Sequence, residues 1–117
     1  MTIKRFQVGP RMSQAVVYNG MAYLAGQVAS GKPGGTVAEQ TQDILNRIDA
    51  LLAEAGTDKH DILMAQIFLA NMKEFDGMNK AWDAWVADGN APPRATVEAR
   101  LANPDFKVEI VVTAALR

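Results

Sequence analysis

Ile62-Leu-Met-Ala-Gln-Ile-Phe-Leu-Ala70 is apolar at odd and even positions alike, with Gln66 its one polar residue. Side chains of a strand alternate between its two faces. Leu63, Ala65, Ile67 and Leu69 would then share one face, and Ile62, Met64 and Phe68 the other. Such a strand is covered on both sides. Downstream, Asn71-Met-Lys-Glu74 reads as a helix start. Phe75, Met78, Trp82, Trp85 and Val86 follow as an inward helical stripe, and Asp88-Gly89-Asn90 and Pro92-Pro93 end it. Upstream lies a longer helix from about Val37. Thr36 and Glu39 have capping-box spacing. Ile44, Leu45, Ile48, Leu51, Leu52 and Ala55 form its buried stripe, and Gly56 suits the left-handed C-terminal position. Glu39, Asp43 and Arg47 lie four apart, outside that stripe, as a solvated face with weak ion pairs.

Toward the N-terminus, Ile3–Val8 reads as a strand ended by Gly9-Pro10. Ala15–Tyr18 and Met21–Gln27 flank Asn19-Gly20, the two-residue hairpin signal. Ser30–Gly35 is a flexible loop. Toward the C-terminus, Arg94–Leu101 and Lys107–Leu116 read as strands joined around Asn103-Pro104. The predicted order is β-β-β-α-β-α-β-β, an α+β fold with a six-stranded mixed sheet. Both helices would lie on one face. The other face, apolar in several strands, would be left open, so an oligomer packing sheet against sheet is expected.

The 117 residues form one expected domain, 1–117, long enough to bury a core. Cysteine is absent, which excludes disulfides, thiolate nucleophiles and thiolate metal sites. His60 is the single histidine, so multi-histidine metal sites are excluded too. Twelve Lys+Arg against thirteen Asp+Glu give a net charge of −1, which argues against a nucleic-acid partner. No apolar run approaches the roughly 20 residues that span a bilayer. The start, MTIKRFQVGP, lacks an apolar signal-peptide core, so a cytoplasmic protein without a membrane partner is expected.

Few residues can carry chemistry. His60 sits in the polar connection Gly56–Asp61 and reads as a solvated loop residue. Trp82 and Trp85, three apart, read as core rather than as a stacking platform. Arg94 follows two prolines and opens a β-rich run, with Thr96 and Glu98 on its strand face. A guanidinium held there is a planar fork suited to a carboxylate. Glu109 lies in the apolar strand Val108-Glu-Ile-Val-Val112, where a carboxylate is costly unless paired or hydrated. Two readings stand side by side: an Arg94–Glu109 structural ion pair, or an anion site with a nearby base.

The same segments carry a resemblance. Ala91-Pro-Pro93, Arg94-Ala-Thr-Val-Glu98 and Lys107-Val-Glu-Ile110 are similar to the C-terminal signature of the RidA (YjgF) family. Gly9-Pro10, Ser13-Gln-Ala15 and Leu24-Ala-Gly-Gln27 resemble that family as well, as does the unit from Ile67-Phe-Leu-Ala70 through Met78-Asn-Lys-Ala-Trp-Asp-Ala-Trp85. The resemblance covers essentially the whole chain in matching order. It implies a chorismate-mutase-like fold, a homotrimer with a central β-barrel, and active-site clefts between subunits. It also implies hydrolysis of reactive 2-imino or enamine acids, of the 2-iminobutanoate or 2-iminopropanoate type, to 2-keto acids and ammonia, with no cofactor or metal. Arg94 matches the family arginine that holds the substrate carboxylate, and Glu109 the glutamate that orients or activates water. Gly26 matches the pocket glycine, and Asn79 a pocket-side asparagine. Thr96 stands two residues beyond the arginine, where many members have cysteine. Arg11-Met12 replaces the usual pocket tyrosine, and Ala25 a frequent serine. These departures bear on the substrate more than on the reaction. Two other functions compete: a non-catalytic module binding small carboxylates or proteins in the same cleft, and an RNA-cleaving translation inhibitor. The lack of a basic cluster and of a histidine pair weakens the latter.

Overall fold

The computed structural model describes residues 2–117. The strands are β1 (Lys4–Val8), β2 (Ser13–Tyr18), β3 (Met21–Leu24), β4 (Gln27–Val28), β5 (Ile62–Leu69), β6 (Arg94–Glu98) and β7 (Val108–Ala115). Helix α1 spans Val37–Ala55 and α2 spans Phe75–Trp85. The sheet runs β1-β2-β3-β7-β5-β6, with β4 also paired to β7. Only β5 and β6 run parallel among the described pairs, because α2 carries the chain back between them. The result is a mixed sheet in an α+β fold.

Local chemistry explains most boundaries. Asn19 and Gly20 both adopt positive φ, 51° and 79°, and close the β2–β3 hairpin at the Tyr18–Met21 pair. The Thr36 hydroxyl accepts from the Glu39 N–H at 3.1 Å, and Glu39 Oε1 accepts from the Thr36 N–H at 2.9 Å, which completes the capping box. Gly56 ends α1 in the left-handed region. Glu39 is thus spent on the cap, and Asp43 pairs with Arg47 at 2.9 Å along the solvated face.

Both helices lie on one face. Ile44, Leu45, Ile48 and Leu52 of α1 join Met78, Trp82 and Trp85 of α2 in one core with Ala22, Ile67, Ile110 and Val112 of the sheet. Both tryptophans are core residues, as expected; Trp85 Nε1 also donates to Asp49 Oδ2 at 3.0 Å and ties the helices together. The opposite face carries no helix. Tyr23, Met64 and Val97 are exposed there, beside Phe68 and Val111.

Two bulges correct the sequence reading. The sheet has seven strands, not six, because the expected strand Met21–Gln27 breaks at Ala25-Gly26. Tyr23 pairs with Thr113 but Gln27 pairs with Ile110, so Leu24-Ala25-Gly26 is one residue longer than Val111-Val112 opposite. Likewise Ile62 pairs with Ala114 and Met64 with Thr113, which leaves Leu63 as the extra residue. The parity of β5 therefore changes after Ile62. Ile62 is buried with Ala65, Ile67 and Leu69, whereas Leu63 and Met64 are exposed. The expected places of Ile62 and Leu63 are exchanged.

Candidate active site

Strand β7 alternates cleanly, and Glu109 falls on the face without helices while Val108 and Ile110 enter the core. Its neighbours across the sheet are Phe68 on β5 and Val28 on β4. The bulge at Ala25-Gly26 brings the chain hard against this carboxylate. A Cβ placed on Gly26 would lie 2.3 Å from Glu109 Oε2 and 3.0 Å from its Cδ. Gly26 is not held at positive φ, so the glycine is required here for space. Buried Gln27 holds the bulge: its Nε2 donates to the Ala25 carbonyl at 2.9 Å and to Gln14 Oε1 at 3.0 Å. A carbonyl freed from the ladder by the bulge thus regains a donor. On the helix side of the bulge a cleft of about 420 Å³ opens toward α1, lined by Gln14, Gly26, Gln27, Arg47, Ala50 and Leu51; Glu109, on the other face, does not line it. Arg11 and Met12 are exposed at the preceding turn.

Arg94 stands elsewhere. It opens edge strand β6, and its β5 neighbour is the buried Ala65, so its side chain leaves the sheet on the helix side. The guanidinium lies over two rings of α2, 5.3 Å from the Trp82 centroid and 5.9 Å from that of Phe75. Among the described residues it forms no ion pair or side-chain hydrogen bond. Thr96 shares its face two residues along, next to Ile67. Asn79 lies between Phe75 and Trp82 on α2. Asn79 Oδ1 and Thr96 Oγ1 are both buried without a hydrogen-bond partner, a rare condition for buried polar atoms.

The five candidate residues therefore form two groups. Gly26 and Glu109 touch on the open face. Arg94, Thr96 and Asn79 gather on the helix side of the far edge, with β5 between the two groups in the strand order β7-β5-β6. Within one chain no Arg94–Glu109 ion pair forms, because the two side chains leave the sheet on opposite faces. Sequence reasoning had assigned no role to Gln14 and Gln27; a glycine interrupting an apolar strand was the signal for the bulge they hold. His60 is an exposed residue in the turn before β5, its Nδ1 3.0 Å from Asp58 Oδ1. Among the described residues, no three His, Cys, Asp or Glu side chains cluster as metal ligands would.

The family described as Endoribonuclease L-PSP matches residues 2–116. A RutC family protein of Haemophilus ducreyi is 54% identical, over 97% of each chain. The chain belongs to the RidA (YjgF) family. Another relative, the RutC family protein YoaB of Escherichia coli, is 46% identical, over 99% of this chain and 100% of that one. The crystal structure of a YjgF-family protein from Neisseria meningitidis is 50% identical to this RidA-family chain. It superposes with a TM-score of 0.96, covering 100% of this chain and 97% of that one. The chorismate-mutase-like α+β fold expected from the resemblance is thus the fold observed.

Proposed function

We propose that this RidA-family protein is a cofactor-independent deaminase. It hydrolyses 2-imino or enamine acids, of the 2-iminobutanoate or 2-iminopropanoate type, to 2-keto acids and ammonia. The observation that carries the reading is the free Arg94 guanidinium, held on an aromatic bed beside two unpartnered polar atoms. It is a fork awaiting an anion. The Glu109 carboxylate lies on the other face, so one chain holds half of each site. The uncovered apolar face supports a closed homotrimer in which three sheets face a common axis. Each site would then join the Arg94 group of one subunit to the Gly26–Glu109 group of its neighbour.

The chemistry asks little of the protein. An iminium carbon is already electrophilic, so a positioned water and one proton acceptor suffice. Arg94 holds the substrate carboxylate. Glu109 takes a proton from the attacking water as its oxygen bonds to C2. Glu109 then gives that proton to the nitrogen of the resulting carbinolamine, the C–N bond breaks and ammonia leaves, and the C2 hydroxyl passes its remaining proton back to Glu109 as its oxygen becomes the keto group. An enamine must first gain a proton at C3. No helix among the described residues is long and apolar enough to cross a membrane; a cytoplasmic location belongs to the proposal.

The test is ammonia release from freshly generated 2-iminobutanoate, compared with the uncatalysed rate. No acceleration by the wild type would leave the proposed inter-subunit cleft as a non-catalytic carboxylate- or protein-binding site. With activity present, Glu109→Gln should mainly lower kcat; a rise in KM alone would make Glu109 a structural group. A ribonuclease reading has less support, since exposed His60 has no histidine partner for acid–base work.

A further inference from the structure

We propose that Asn79 Oδ1 accepts the N–H of the substrate's imine nitrogen and so lets the site tell a 2-imino acid from its 2-keto product. The inference rests on the reading of Arg94 as the carboxylate clamp. Positions 75, 79 and 82 lie at i, i+4 and i+7 of α2, which is one stripe. Arg94 sits over the rings at both ends of that stripe. Asn79, between them, therefore borders the same space.

The three polar groups differ in what they can do. A guanidinium only donates, a hydroxyl donates and accepts, and an amide oxygen only accepts. A bound carboxylate satisfies Arg94 and the Thr96 hydroxyl. It cannot satisfy Asn79 Oδ1, because both of its oxygens are acceptors too. The Thr96 hydroxyl does not fill this need either, since its own oxygen lacks a partner. A ligand that completes all three carries a carboxylate and, on the next carbon, an N–H donor. A 2-iminium acid has both; the 2-keto acid has lost the donor. The buried acceptor thus favours substrate over product and hastens product release.

The test uses the full-length protein in its native assembly and two stable ligands, 2-aminobutanoate, which keeps the N–H donor, and 2-oxobutanoate, which lacks it. Titration calorimetry of the wild type should show binding of both. Asn79→Ala should weaken 2-aminobutanoate about tenfold, the scale of one hydrogen bond to a charged group. It should leave 2-oxobutanoate within about twofold. Asn79→Asp, which keeps acceptor oxygens, should retain 2-aminobutanoate binding. Equal weakening of both ligands, or no change in either, overturns the inference and leaves the carboxylate clamp standing. So does binding of 2-oxobutanoate alone by the wild type. Dissociation of the assembly on Asn79→Ala would assign the acceptor to a neighbouring chain and also overturn it. Failure of the wild type to bind either ligand removes the clamp and the inference together.

Discussion

Substituting Gly26 by alanine inserts a methyl group where the Glu109 carboxylate now rests. The new Cβ would stand 2.3 Å from Oε2 and 3.3 Å from Cγ. Non-bonded heavy atoms settle nearer 3.5 Å, so the carboxylate must retreat by roughly 1 Å. It can do so, because the end of a glutamate side chain swings on flexible torsions. The backbone at Gly26 needs no positive φ, so alanine adds no strain of its own. The unfolded chain loses some freedom, which offsets part of any cost by about 0.4–1 kcal/mol. The melting temperature should therefore shift by no more than a few degrees, about 1 kcal/mol for a domain of this size. Catalysis should suffer far more. A reacting group displaced by about 1 Å costs on the order of 100-fold in rate. The assay is ammonia release from 2-iminobutanoate, with kcat and KM separated and Glu109→Gln in parallel. A Gly26→Ala kcat within threefold of the parent, alongside an inactive Glu109→Gln, would refute the argument that this contact places the base.

Arg94→Ala should lower kcat/KM by roughly 30- to several-thousand-fold, since a buried charge-assisted pair lost on one side costs about 2–5 kcal/mol. Arg94 forms no ion pair among the described residues but rests on the Phe75 and Trp82 rings, so the variant's melting temperature should fall by no more than a few degrees, about 1 kcal/mol; activity within threefold of the parent would remove the clamp. Light scattering at micromolar concentration should give three times 12.7 kDa, and a fully active monomer would sink the shared-site arrangement. Asp58 accepts from the His60 backbone N–H and pairs with Arg117, which hold its carboxyl below the usual 3.8 in the folded chain. A lowered folded value means stability that is present at neutral pH and lost as pH falls below 3.8. The melting-temperature gap between wild type and Asp58→Asn should accordingly be open at pH 7 and close in that acid range; a gap that persists there would count against the assignment.

Features settled by neighbours along the chain were legible in advance. Asn19-Gly20 turned as its two positive-φ residues require, Thr36 and Glu39 capped α1 reciprocally, and Gly56 ended it. Each depends on groups within four residues of each other, so sequence spacing contains the whole interaction. The uncovered sheet face was legible as well, because Ile62–Ala70 has more apolar positions than two helices can cover. What the sequence could not settle is where parity changes. The bulges at Leu63 and Ala25-Gly26 exist because β7 pairs on both sides of them in registers that differ by one residue. Around Leu63 the run is apolar on both parities and offers no local cue for such a slip, and at Gly26 the glycine marks an interruption without fixing the register beyond it. The same non-local facts decide the site. Arg94 and Glu109 each looked free to meet the other, and only the strand order β7-β5-β6, with the helices on one side, sends them to opposite faces. Residue identity set which groups could do chemistry; the pairing of distant strands decided that Glu109 sits against Gly26, and Arg94 with Thr96 and Asn79. Register and strand order belong to the assembled sheet and to no single segment of the chain.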